Sequence, residues 1–232
     1  MIVNPLTRLL DLISPRMCAI CDERLSVSEE MMCAPCLMHL PRLHQSAAPT
    51  DNYMAQMFWG IIDMERAAAF MQHVPHSPSS DLIYNMKYCG RDDIAIFMGK
   101  TAAREMAADG FFEGIDLIVP VPLARKRKRE RGFNQSEMIA KGISEITGIR
   151  VETKAVKRTR FERSQTGLTR SDRQKNVEGM FVVRNAARLE GHHVLIVDDV
   201  ITSGATITAC AAAIAKAADV KISAMTLAMA GG

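Results

Sequence analysis

The chain has 232 residues, 48% apolar and 24% charged, with a formal net charge of +3. That supply of apolar side chains suits one α/β core plus a small accessory module. No run is long and apolar enough to span a membrane. Residues 1–17 contain Asp11 and two prolines and lack a small-residue cleavage site, so a cytoplasmic protein without membrane insertion is expected.

In chain order, Leu6, Leu9, Leu10 and Ile13 have the spacing of a short amphipathic helix packed on the core. Four of the six cysteines follow as two pairs, Cys18-x2-Cys21 and Cys33-x2-Cys36, separated by eleven residues. Each pair puts two thiolates on one turn, and two such turns close a tetrahedral Zn2+ site. Four thiolates leave no position for water, which makes the zinc structural. Disulfides are the competing reading, disfavoured by a reducing compartment. Cys89 and Cys210 have no pairing partner nearby.

Pro41, Pro49 and the polar residues between them read as a linker. Residues 58–74 alternate loosely and predict an antiparallel pair of strands, with 67–74 the better half. A helix is expected from Ser77-Pro78 to the Lys87-Tyr88-Cys89-Gly90 turn, and a longer one over 92–108. A buried strand at 116–121 precedes an amphipathic helix over 133–147, stopped by Gly148. Short strands near Val151 and over 181–183 lead to the dominant strand at Val194, an Ala-rich helix over 204–218 and a last strand over 222–228. Strands alternating with helices predict a parallel sheet wound by right-handed crossovers and flanked by helices.

Charge is uneven along this frame. Residues 123–135 hold six Arg or Lys against one acid, and residues 150–175 nine against three. Two basic segments in an otherwise acidic chain point to a polyanionic ligand, the alternative being solvated loops. The first segment follows Pro120-Val121-Pro122-Leu123, where two prolines fix the backbone and leave a cis bond open. It is expected to be a loop at the strand's carboxyl edge, placed for a pyrophosphate. The second, over 157–176, has no apolar period.

Residues 194–206 read Val-Leu-Ile-Val-Asp198-Asp199-Val-Ile-Thr202-Ser203-Gly204-Ala205-Thr206. A buried strand delivers two adjacent carboxylates to its carboxyl end, and a small turn then opens a helix. Open parallel sheets bind ligands at that edge. Backbone N–H groups of the turn can wrap an anion, and the helix N-terminus adds partial positive charge. Carboxylates do not bind phosphate, so they serve ribose hydroxyls or a magnesium ion between sugar and phosphate. A sugar 5-phosphate is the inferred ligand. An acidic turn without a ligand is the other reading, and it would carry the desolvation of two acids for nothing.

This run resembles the phosphoribosyl-pyrophosphate (PRPP) loop of type I phosphoribosyltransferases, with every position of the pattern filled. In order along the chain stand the two Cys-x2-Cys pairs, Lys87-Tyr88-x-Gly90, Pro120-Val121-Pro122-Leu123 and Arg131-Gly132-Phe133-Asn134-Gln135. An Arg-rich segment with Gln165, Leu168, Arg173 and Asn176 precedes the loop. Together they resemble the ComF family of competence-associated proteins; Ser203, where many members carry Thr, keeps the hydroxyl.

The resemblance implies an α/β fold: a type I phosphoribosyltransferase-like parallel sheet over 55–232, with an N-terminal helix and zinc module over 1–45. It implies that Asp198 and Asp199, the candidate catalytic residues, hold the ribose and Mg2+. Thr202, Ser203, Gly204, Ala205 and Thr206 would hold the 5-phosphate, and Leu123, Arg125 and Arg131 the pyrophosphate. Residues 157–176 would form a hood over the reacting centre. The implied role is bringing single-stranded DNA into the cytoplasm, with a competence helicase or translocase as partner. Two function classes stay open: transfer of the phosphoribosyl group to an acceptor, and non-catalytic PRPP sensing or single-strand binding. Near the basic segments only Phe133 and Phe161 are aromatic, which offers little for base stacking.

Overall fold

Central strands that are apolar on both faces must be covered on both faces, and the computed structural model, which describes residues 15–159 and 179–231, shows how. Its strands are β1 (Arg66–His73), β2 (Leu117–Pro120), β3 (Arg150–Val151), β4 (Val156–Arg158), β5 (Phe181–Val183), β6 (His193–Ile201) and β7 (Lys221–Ala230). Its α-helices are α1 (Ala34–Met38), α2 (Tyr53–Gln56), α3 (Pro78–Tyr88), α4 (Asp92–Ala108), α5 (Arg125–Arg131), α6 (Gln135–Thr147) and α7 (Ala205–Ala217). Five strands form a parallel sheet in the order β1-β7-β6-β2-β3, and β4 and β5 make a separate antiparallel pair. The expected helix over residues 1–14 and the hood beyond residue 159 lie outside the described residues.

The strand period of two divides the sheet's side chains between two cores. Ile118, Leu195, Val197, Met225 and Leu227 face α3, α4 and α6, and Leu25, Met32 and Leu40 of the cysteine module join the same cluster. Leu117, Val119, Val194, Ile196 and Ala224 face α2, α7 and the β4–β5 pair. Helices α4 and α6 touch backbone to backbone. A Cβ on Gly142 would sit 2.2 Å from the Ile96 carbonyl oxygen, and one on Gly99 2.3 Å from that of Ile139.

Two expectations are corrected and one open point is answered. Residues 58–74 do not form an antiparallel pair: β1 is one strand, parallel to β7. The residues before it, 58–65, form turns that follow α2, whose N-cap Asn52 accepts the Ala55 N–H at Oδ1, and Phe58 among them is buried. The outer edge of β1 is covered instead by the linker. Leu43 N–H donates to the Phe70 carbonyl, Gln72 N–H to that of Pro41, and Ala69 N–H to Gln45 Oε1. That cover removes an open strand edge. Second, residues 125–131 form helix α5 rather than a loop. Arg and Lys are good helix formers, and Gly132, at φ +81°, ends the helix by donating its N–H to the Lys128 carbonyl. Third, among the described residues no peptide bond is cis, those before Pro120 and Pro122 included.

Candidate functional site

The acidic pair sits where the sheet opens. Strand β6 pairs with β7 as far as Ile201, opposite Met229, but with β2 only as far as Val197, opposite Pro120. Val121 still donates its N–H to the Val197 carbonyl, and the chain then leaves the sheet. Asp198 is therefore the first β6 residue with an open side, still inside the strand rather than beyond its end. From β2 the chain moves outward to β3, and from β6 the other way to β7, so the β2–β6 gap is the topological switch point where such sheets bind ligands.

Three neighbouring residues tie this point together. Asn134 Nδ2 donates to the Val121 carbonyl at 3.0 Å, fixing the start of α6 to the loop after β2. Gln135 Nε2 donates to the Met86 carbonyl of α3 at 3.2 Å. Ser136 Oγ donates to Asp198 Oδ1 at 2.8 Å, and the same oxygen accepts the Asp199 N–H at 2.9 Å. Asp199 Oδ2 lies 3.1 Å from Lys87 Nζ on α3. Burial and the adjacent Asp199 charge push Asp198 up to about 7, more than Ser136, the Asp199 N–H and Lys87 pull it down. Among the described residues Lys87 is the cation in ion-pair contact with these two carboxylates, with Arg158 acting on Asp198 from further off, an arrangement that suits a further cation or ribose hydroxyls.

The turn supplies the complementary group. Gly204 adopts φ +73°, in the left-handed region that favours glycine, and is the N-cap of α7. It provides no side-chain cap for the first N–H groups of the helix, a start of the kind that suits an anion. Residues Thr202, Ser203, Gly204, Ala205 and Thr206 line a hollow of about 30 Å3 with Asp198. A Cβ on Gly204 would stand 3.3 Å from the Phe58 ring, so the segment just after α2 packs against the turn.

The described parts of the two basic segments face each other. Arg125, Arg127 and Arg129 of α5 line a cleft of about 960 Å3 opposite Lys157 and Arg158 of β4 and Arg184 beyond β5. Arg125 and Arg184 push the Lys157 pKa down; burial, then Arg127, pushes Arg158 down. Cations held close enough to depress one another are ready for a polyanion. Of the residues expected at the pyrophosphate, Leu123 is half-buried in the loop after β2 and Arg125 lines the cleft. Arg131 lies at the other end of α5, where its Nη1 donates to Gln135 Oε1 at 3.0 Å. Ser136 and Arg184 carried no sequence signal that marked them for this site; Arg158 belongs to the basic segment read as facing a polyanion, and Lys87 stood in a motif without a role.

The four module cysteines converge. Their Sγ atoms all lie within 4.8 Å of one another, with Cys21 and Cys33 at 3.6 Å. Tetrahedral zinc with bonds of about 2.3 Å has S···S edges of about 3.8 Å, so the donor set fits one ion. A disulfide needs about 2.05 Å. Burial raises the Cys18 pKa, but the N–H groups of Cys21, Cys33 and Ile20 outweigh it and bring the thiol to about 7. The loop between the pairs is held by Glu29, whose carboxylate accepts the N–H groups of Ser26 and Ala34, each at 2.7 Å.

The site lies at the switch point of a doubly wound parallel sheet, and the chain belongs to the phosphoribosyl transferase domain family, whose model matches residues 101–231. Within that family it is a ComF-type protein. It is 29% identical over 193 residues to DNA utilization protein YhgH of Escherichia coli O6:H1, covering 82% of this chain and 80% of that one. It is 25% identical over 198 residues to Competence protein F of Haemophilus influenzae, covering 82% and 86%. A solved structure of the allosteric regulatory enzyme of purine biosynthesis aligns over 61% of this chain and 30% of its own, with 22% identity and a TM-score of 0.42. Among the described residues no helix is long and apolar enough to cross a membrane.

Proposed function

We propose that the protein binds PRPP with Mg2+ at the β2–β6 switch point and acts in the handling of incoming single-stranded DNA in the cytoplasm. The observation that carries the PRPP reading is the pair Asp198–Asp199, with Asp198 pushed up by burial and by its neighbour's charge, beside a helix start without a side-chain cap. The uncapped N–H groups and the hydroxyls of Thr202, Ser203 and Thr206 suit the 5-phosphate. Asp198 and Asp199 suit the ribose hydroxyls and are hard oxygen ligands of the kind Mg2+ takes, with the metal supplying charge neutralisation for a departing pyrophosphate. Arg125 and Arg158 are the cations of the cleft that suit the pyrophosphate itself. Transfer would pass through an oxocarbenium-like centre, so the chain's contribution is positioning and fixed charge rather than covalent chemistry. The printed names of the relatives, DNA utilization and competence, support the DNA role. The four cysteines are read as a structural Zn2+ site.

A transferase releases pyrophosphate when PRPP and an acceptor are added, whereas a PRPP-sensing or single-strand-binding protein does not. A coupled pyrophosphate assay over candidate nucleobases and amines separates the two. Release that requires both PRPP and one acceptor establishes transfer; PRPP binding without release for any acceptor leaves the sensing role.

A further inference from the structure

Helix α3 buries Leu82, Ile83 and Met86 on one side and sends two aromatic rings out on the other. Tyr84 and Tyr88, one helical turn apart, are 58% and 64% exposed, with ring centroids 5.0 Å apart. Rings left in water contribute little to the core, so their packing does not explain them. The Arg131 guanidinium carbon lies 5.5 Å from the Tyr88 ring centroid. Arg131 closes α5, and Arg125, Arg127 and Arg129 of the same helix line the cationic cleft. Seven residues of helix span roughly 10 Å, so aromatic surface and cationic cleft are consecutive stretches of one path. Folding thus adds aromatic surface to basic segments that have only Phe133 and Phe161 near them in sequence.

We propose that Tyr84 and Tyr88, with Arg131, form a stacking platform for the unpaired bases of single-stranded DNA whose phosphates follow α5 into the cleft. This rests on the proposed DNA role and deepens it by naming where bases are held. Every base has a π-face, so stacking on tyrosine is sequence-tolerant, and the cationic groove tracks the backbone. The planar Arg131 guanidinium adds cation–π attraction and a second flat surface. Bases in a duplex are already stacked on each other and cannot use the platform.

Fluorescence anisotropy with a labelled oligothymidylate, its abasic analogue of equal length and the matching duplex tests this on the full chain. Y84A/Y88A should weaken oligothymidylate binding by roughly five- to 150-fold per base lost from the platform. Its salt dependence should be unchanged, because no cation is removed. Y84F/Y88F should bind like wild type, since the rings remain. The abasic analogue should bind wild type about as weakly as oligothymidylate binds Y84A/Y88A, and the duplex should not gain from the tyrosines. Equal affinity of wild type and Y84A/Y88A for oligothymidylate, or of wild type for the oligomer and its abasic analogue, overturns the platform and leaves binding to charge alone. No binding of oligothymidylate by wild type at low salt overturns the platform and the DNA role together. PRPP calorimetry on the same preparation reports the other half of the functional reading independently.

Discussion

Replacing Asp198 by Asn isolates the strain in the acidic pair. The amide keeps an acceptor for Ser136 Oγ and for the Asp199 N–H, while removing the carboxylate that burial and Asp199 push up to about 7. From the ordinary 3.8 that is about three units, a ceiling of about 4 kcal/mol. Asp198 is only half-buried by its accessible surface, which reduces the ceiling to roughly 2 kcal/mol. The sign follows from linkage. Below the unfolded pKa both states are protonated and the group costs nothing; the cost grows as pH rises toward 7 and is constant above it. D198N should therefore raise Tm by about 4–8 °C at pH 8 for a chain of this size. At pH 4.5 most of that gain should vanish. Calorimetric melting at the two pH values measures both numbers. A variant no more stable than wild type at pH 8, or equally stabilised at both pH values, would show that Asp198 is not held against its charge.

Two further outcomes follow from packing and from the cysteine cluster. Gly142→Ala drives a Cβ to 2.2 Å from the Ile96 carbonyl oxygen, a backbone atom that cannot swing away. Overpacking there should cost about 3 kcal/mol and lower Tm by about 6–12 °C; a melt within a degree of wild type would mean that α4 and α6 are further apart than described. Elemental analysis should give about one zinc per chain. Because Leu25, Met32 and Leu40 share a core cluster with α3 and α4, stripping the zinc should lower the melt of the whole chain. A zinc-free preparation with the wild-type Tm would exclude a structural role.

The parts of this protein that were legible in sequence are those fixed by local chemistry. The paired cysteines, the apolar run ending in Asp198-Asp199, and the glycine before the Ala-rich helix each depend on neighbours within a few residues. What was not legible depends on distant partners. The edge cover of β1 by residues 41–49 has the composition of a linker, and only the hydrogen bonds to Phe70 and Pro41 reveal it as a strand partner. The basic run 125–131 has no apolar face, so nothing in its pattern announces a helix. Ser136 and Lys87 are ordinary residue types whose role comes from α6 and α3 meeting at Asp198 and Asp199, and Arg184, beyond β5, lines the cleft with α5. Tyr84 and Tyr88 lie about forty residues before the nearest basic segment, and folding brings Arg131 over Tyr88.

The central claim is that Asp198, Asp199 and the turn 202–206 bind PRPP. Isothermal titration of PRPP with Mg2+ into wild type and into D198A/D199A, with melting curves to show that both are folded, tests it directly. The account predicts saturable binding by wild type and none by the folded double variant. Unchanged affinity in the double variant, or no heat with wild type, would contradict it.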